Sequence, residues 1–212
     1  MKIKTSEFVF SKRAKKLPAV IDLNEEFAYI LGLWRADRCS TAKGIVGLRS
    51  KNETLLETFE EFLKKIKLKV KKRVVNGYSK TKEVYTCSMP LRRIFEALIS
   101  NRVNIMSNNS SLVTAYIAGV LDGDGTSSNS RSDTRLYYGI KEIEEAKIDA
   151  ILIQKLGFNV TTKIYKNFVA NYIKNSGQFN KLVSTFSKKL HGLVVRKRAR
   201  PTSHVATTFS GR

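Results

Sequence analysis

Cysteine is scarce in this sequence: Cys39 and Cys87 are the two present in 212 residues, without CxxC spacing. That excludes a disulfide scaffold and a cysteine-based zinc site, and both thiols read as structural in a reduced compartment. Histidine is equally rare. His191 and His204 sit late, far from other ligand-like groups, which argues against zinc and against His-centred nuclease chemistry. No apolar run approaches the roughly 20 residues of a membrane span. The start, "MKIKTSEFVFSKRAKK", breaks its short apolar run with charge, unlike a signal peptide. The expectation is a cytoplasmic protein with no membrane partner. Acids are also few, 18 against 39 Lys plus Arg, for a formal net charge of +21. Solubility needs far less, and self-repulsion on this scale costs stability, so a polyanionic partner is implied. An anionic membrane surface would call for a long basic amphipathic anchor, which the sequence lacks. Nucleic acid remains. Hydrophobic residues at 42% are enough for a packed core and argue against wholesale disorder.

One phrase is out of keeping with so basic a chain. "YIAGVLDGDGT" at 116–126 runs from an apolar helix into two aspartates, each followed by glycine. "YILGLWRADR" at 29–38 resembles an altered copy. Gly32 aligns with Gly119 and Asp37 with Asp124, both at a spacing of 87. Each phrase is followed by a β-like stretch, "IVGLRSK" at 45–51 and "RLYYGIK" at 135–141. A helical pattern comes next, at 52–66 and 142–156, here at a spacing of 90. The change in spacing fits a longer hairpin around "TSSNSRSD" at 126–133. Hairpin patterns follow at 68–75 with 83–89, and at 159–165 with 169–174, and then helical patterns at 91–100 and 178–190. Each half therefore reads helix, two strands, helix, two strands, helix. The polar stretch "NRVNIMSNNSS" at 101–111 reads as a linker whose end caps the next helix. The expected organisation is an N-terminal half at 1–100, the linker, and a C-terminal half with a basic tail at 112–212.

The repeated helix has a physical logic. Ala115, Gly119 and Gly123 fall at i, i+4 and i+8, as do Ala28, Gly32 and Ala36. Small residues on one face let two helix backbones approach closely. If the two helices pack in parallel, their C-terminal ends meet, and Asp37 and Asp124 come together near a pseudo-twofold axis. Two carboxylates at the negative ends of two macrodipoles repel each other and need a cation. Mg²⁺ takes carboxylate oxygens and keeps the rest of its shell for water and phosphate, which suits phosphodiester hydrolysis. A calcium loop fits poorly. Asp122, Asp124 and Thr126 occupy its first, third and fifth positions, but Ser127 replaces the turn glycine and Asp133 the final glutamate.

With the repeat in view, "IAGVLDGDG" at 117–125 resembles the LAGLIDADG signature of homing endonucleases, and "ILGLWRADR" at 30–38 resembles a divergent first copy. Two motifs in one chain resemble the monomeric, two-motif branch, and the small size and high basicity resemble its archaeal intron-encoded members. The resemblance implies an α+β fold of two pseudosymmetric αββαββα halves. Motif helices form the interface, and two antiparallel sheets form a DNA-binding saddle. It implies that Asp37 and Asp124 hold the metal, Mg²⁺ or another divalent cation. It places a basic residue near the active site after the second strand of each half, where Lys51 and Lys141 stand. The implied activity is site-specific cleavage of double-stranded DNA in intron homing. The sequence departs from the signature at Arg35, in place of an acid, and at Arg38, in place of the closing glycine. Those two cations favour the alternative, a non-cleaving intron maturase or RNA-binding protein on the same fold.

Strand alternation supplies candidate DNA contacts. Lys67, Lys69, Lys71 and Arg73 read as one face of a strand, with Leu68, Val70 and Val74 on the other. Arg49 shares a face with Lys51, and Arg135 and Tyr137 share one with Lys141. Lys163 and Tyr165 alternate in the same way. A two-stranded ribbon fits the major groove, where such side chains reach base edges and phosphates. The end, "RKRARPTSHVATTFSGR" at 196–212, reads as a basic tail that wraps DNA or stays solvated.

Overall fold

The computed structural model describes residues 1–8, 17–39, 44–75, 81–127 and 133–190. The histidines and the basic tail lie outside these residues, as do most of the two turn regions at 76–82 and 126–133. The molecule is built around two apolar helices, α1 (Glu25–Asp37) and α5 (Ser110–Asp124). Each starts at an asparagine cap. The Asn24 side chain accepts from the Phe27 N–H at 2.9 Å, and that of Asn109 from the Ser111 and Leu112 N–H groups at 3.1 Å each. These bonds satisfy donors that the first turn leaves orphaned. Beyond its cap α5 is buried without a break from Leu112 to Asp122, so neighbours surround it on all sides.

The N-terminal half continues with β3 (Ile45–Ser50), α2 (Glu53–Lys65), β4 (Lys71–Val75), β5 (Thr81–Cys87) and α3 (Met89–Ser100). Its sheet is antiparallel in the order β3-β5-β4. Phe27, Trp34, Phe62 and Phe95 pack edge to face beneath it, with centroids 5.1–5.5 Å apart. After α5 the second half repeats the plan with β6 (Gly125–Thr126), β7 (Asp133–Gly139), α6 (Ile143–Lys155), β8 (Val160–Ile164), β9 (Phe168–Lys174) and α7 (Ser176–Val183). Its sheet runs β6-β7-β9-β8. The α+β architecture and the duplicated order agree with the reading of the sequence.

Some boundaries do not. The strand expected to start at 68 starts at Lys71. Lys67 takes φ 60, and the Leu68 N–H returns to the Leu63 carbonyl at 3.0 Å, so these residues close α2 with a left-handed turn. Lys67 and Lys69 therefore stand before the strand and not on its face. Val74, expected inside, is 58% exposed on the helix-bearing side of this edge strand. The first strand of the N-terminal half reduces, among described residues, to one bridge between Arg38 and Leu48. The helix expected at 178–190 stops at Val183, where the Ser184 and Thr185 hydroxyls bond the carbonyls of Lys181 and Leu182 and compete with the ladder. The linker holds a short helix, α4 (Arg102–Met106). The N-terminal segment, to which no strand was assigned, pairs β1 (Lys2–Lys4) with β2 (Val20–Asp22).

Candidate functional site

The close approach of α1 and α5 sets the site. A Cβ on Gly32 would lie 2.0 Å from the Tyr116 carbonyl oxygen, and one on Gly119 would lie 2.1 Å from that of Tyr29. These contacts exchange under the repeat, so the seam is pseudo-twofold. A Cβ on Gly123 would lie 2.4 Å from Ala36 Cβ and 3.7 Å from the carboxyl carbon of Asp37. The helices therefore run in contact to their C-terminal ends, and Asp37 and Asp124 end them side by side. Burial raises the proton affinity of Asp37, with Lys189 opposing. Asp124 is pushed up to about 6, first by burial and then by the charge of Asp37, with Glu142 adding and Arg35 and Lys189 opposing.

These are hard oxygen donors whose ionisation burial and mutual repulsion oppose, and a cation between them would relieve both. Among the described residues no cluster of three or more His, Cys, Asp or Glu gathers, here or elsewhere, so the site offers two carboxylates. A divalent ion held here would take the Asp37 and Asp124 carboxylates and draw its other ligands from water and phosphate, as Mg²⁺ commonly does. The donor set fits that ion. It fits zinc less well, since zinc sites draw most of their ligands from Cys and His.

The neighbouring charges are specific. Asp122, two residues before Asp124, is fully buried and saturated. It accepts from the Tyr29 hydroxyl at 2.8 Å, the Ser187 hydroxyl at 2.5 Å and the Lys188 N–H at 2.6 Å. It thereby anchors the segment that carries Lys189, whose ammonium reaches the Gly123 carbonyl at 3.4 Å. The corresponding position in the first motif is Arg35, which cannot serve Tyr116 as Asp122 serves Tyr29. The Tyr116 hydroxyl donates instead to Asp149 on α6, at 3.1 Å. Arg35, 4% exposed, lies 3.8 Å from the same carboxylate and 4.3 Å from the Tyr138 ring centroid. Arg102 of α4 binds Asp149 at 2.8 Å, and both side chains are fully buried. The acid absent at position 35 is thus supplied from another helix. Arg38 pairs across the halves with Glu142, at 3.7 Å.

Lys51 and Lys141 lie exposed, on the turns after β3 and β7. Neither has a described hydrogen bond or ion pair with the two acids. Among the described residues Lys189, which no motif marks, is the cation within the field of both. Only its distance in sequence hid it, since 65 residues separate it from Asp124.

The register defines the sheet faces. In the first sheet Lys71, Arg73, Arg49, Glu83 and Tyr85 share the face turned from the core. Arg49 binds the fully buried Glu83 carboxylate at 2.6 Å, and Arg73 binds its other oxygen. In the second sheet Arg135, Tyr137, Lys163 and Tyr172 occupy the open face, with Tyr165 at its edge.

No family model matches the sequence, and no curated protein does. Solved structures do. The homing endonuclease I-DmoI in complex with DNA and Ca matches at TM-score 0.64 and 18% identity, over 82% of this chain and 100% of that one. Its complex with DNA and Mn matches at TM-score 0.60 and 19% identity, over 76% and 97%. Full-length DUF199/WhiA from Thermatoga maritima matches at TM-score 0.58 and 12% identity, over 85% of this chain and 62% of that one. The N-terminal LAGLIDADG domain of DUF199/WhiA matches at TM-score 0.57 and 16% identity, over 88% of this chain and 92% of that one. The fold of this chain is the two-domain LAGLIDADG fold.

Proposed function

We propose that this protein is a divalent-metal-dependent, site-specific endonuclease for double-stranded DNA. The observation that carries the reading is the convergence of Asp37 and Asp124 at the touching ends of α1 and α5, where burial, and for Asp124 also the charge of Asp37, raises each carboxylate's proton affinity. A divalent ion held there would supply an activated water and charge stabilisation at the scissile phosphate. The chain's own residues do the rest. Asp37 and Asp124 would hold the ion, one acid for each strand, and Lys189 would offer a positive charge to the same phosphates. Lys51 and Lys141 stand on the open side, where the bound backbone would pass. The two sheets flank the acids and orient the duplex. The complexes of I-DmoI with DNA and with Ca or Mn support the partner and the ion class, and Mg²⁺ is the proposed physiological ion.

The test begins with a target selected for binding from a randomised duplex library. With Mg²⁺ the wild type should cut both strands of that duplex. Asp37→Asn and Asp124→Asn should each lose double-strand cleavage by at least about a thousandfold and keep affinity within about threefold. Wild-type cutting by both variants would remove these acids from the mechanism.

A further inference from the structure

The open faces of the two sheets hold equivalent places in the repeat, yet their chemistry differs. Register defines the equivalence. Tyr85 on β5 lies between Gly47 and Lys71, and Tyr172 on β9 lies between Arg135 and Thr161. Two residues back along each central strand, Glu83 lies between Arg49 and Arg73, and Ala170 lies between Tyr137 and Lys163. The centre of the first face is an ion triad. On the second, a methyl group replaces the carboxylate and a phenol replaces one arginine.

The surrounding side chains extend the change. Two residues further back are Thr81 in the first sheet and Phe168 in the second. The Phe168 ring stacks on Tyr165, with centroids 4.5 Å apart and planes at 18°. Tyr137 meets Phe168 at 5.8 Å and 61°. The Tyr165 and Tyr172 hydroxyls lie 2.6 Å apart. Arg135 and Lys163 approach the Tyr172 ring centroid at 4.7 and 4.9 Å. The sheet's other face already fills the core with Leu136, Tyr138, Val169 and Ile173. The aromatic cluster therefore adds nothing to that core, and Phe168 and Tyr165 remain 36% and 37% exposed.

Stacked rings flanked by cations, on a chain of net charge +21, match a polyanion that carries flat apolar faces. A duplex shows its grooves only base edges and keeps base faces inside the stack. An unpaired base offers its face, and aromatic platforms beside basic groups are how proteins take it. We infer that the open face of the β6-β7-β9-β8 sheet is a stacking platform for unpaired bases, and that the protein binds single-stranded nucleic acid through Tyr137, Tyr165 and Phe168. The first sheet, with its ion triad, does not share this capacity. The inference is independent of any catalytic role for the two acids.

Fluorescence anisotropy of labelled oligothymidylate, oligouridylate and a mixed-sequence duplex, all with the full chain in EDTA, tests it without cleavage. Tyr165→Ala and Phe168→Leu should each weaken binding to one or both single strands by about five- to a hundredfold. For Phe168→Leu, at a residue outside the candidate duplex contacts, duplex affinity should stay within about twofold, since phosphate contacts are untouched. Phe168→Tyr, which keeps a ring, should bind as the wild type does. The two single-strand arms separate DNA from RNA as the source of the base. Unchanged single-strand affinity in both ring-deleting variants would overturn the inference and leave the face to another occupant, such as residues 191–212 or a protein. An equal loss on duplex and single strand in Phe168→Leu would overturn it too, because the ring would then support the sheet without contacting a base.

Discussion

Asp122 and Asp124 stand two positions apart on α5 and do opposite things. The first has its carboxylate saturated by Tyr29, Ser187 and Lys188. The second faces Asp37 and has its pKa pushed up to about 6. The sign of the resulting pH dependence follows. Between the ordinary value of 3.8 and about 6 the folded protein keeps a proton on Asp124 that the unfolded chain has released. Stability from this group is thus greatest in acid and is lost as pH rises through about 6. In EDTA at pH 8, Asp124→Asn should raise stability by roughly 1–3 kcal/mol, measured by chemical denaturation, and the gain should vanish near pH 4. A gain of the same size at both pH values would mean that charge is not its source. The pair Asp37 and Asp124 was legible because the motif repeats. Asp149 was not, since the acid compensating Arg35 comes from a different helix, and nothing in local spacing predicts a charge moved between elements.

The seam between α1 and α5 decides whether such residues meet at all. Its glycines leave no room for a methyl group: at Gly119 an added Cβ would lie 2.1 Å from the Tyr29 carbonyl oxygen and 2.7 Å from the Leu33 nitrogen. Both are backbone atoms, so no side chain can swing aside, and the helices would have to separate. Gly119→Ala should destabilise by about 3 kcal/mol or more, whereas Gly177→Ala, on a helix face with nothing within 4 Å, should leave denaturant midpoints nearly unchanged. Equal midpoints for the two variants would contradict the close approach. Helix periodicity and small-residue spacing made this seam readable in advance. The short elements were harder to read. The strands β1 and β2 span three residues each, too few for alternation to register. In α4, Arg102 looked like linker polarity because its partners, Asp149 and Glu145, lie more than 40 residues away. The sheet faces were legible as alternation, but not the neutralisation of Arg49 and Arg73 by Glu83, which requires the cross-strand register.

The duplicated plan suggests two separable halves, but the burial pattern argues that neither is complete. Each contributes a helix whose buried run, from Phe27 to Arg35 in α1 and from Leu112 to Asp122 in α5, is covered in part by the other half. Alone, each fragment would expose that run to water and lose the seam that fixes its sheet over the core. The linker belongs physically with the second half, because Arg102 is held by Asp149 and by the Glu145 carbonyl. A cut at 111 would strand Asp149 without its main cation, and breaking one side of a buried pair costs about 3–5 kcal/mol. The informative division therefore falls before Asn101. Fragments 1–100 and 101–212 should each give poorly dispersed NMR spectra alone, and the native spectrum when coexpressed. A fragment 112–212 should fail to restore it, or do so with a much lower melting temperature. If 1–100 folds alone with native dispersion, the halves are autonomous domains. The spacing of Asp37 from Asp124 would then depend on docking and not on folding. If folding and docking are one event, denaturant should melt both sheets together in a single transition, followed by the signals of Trp34 in the first half and Tyr138 in the second.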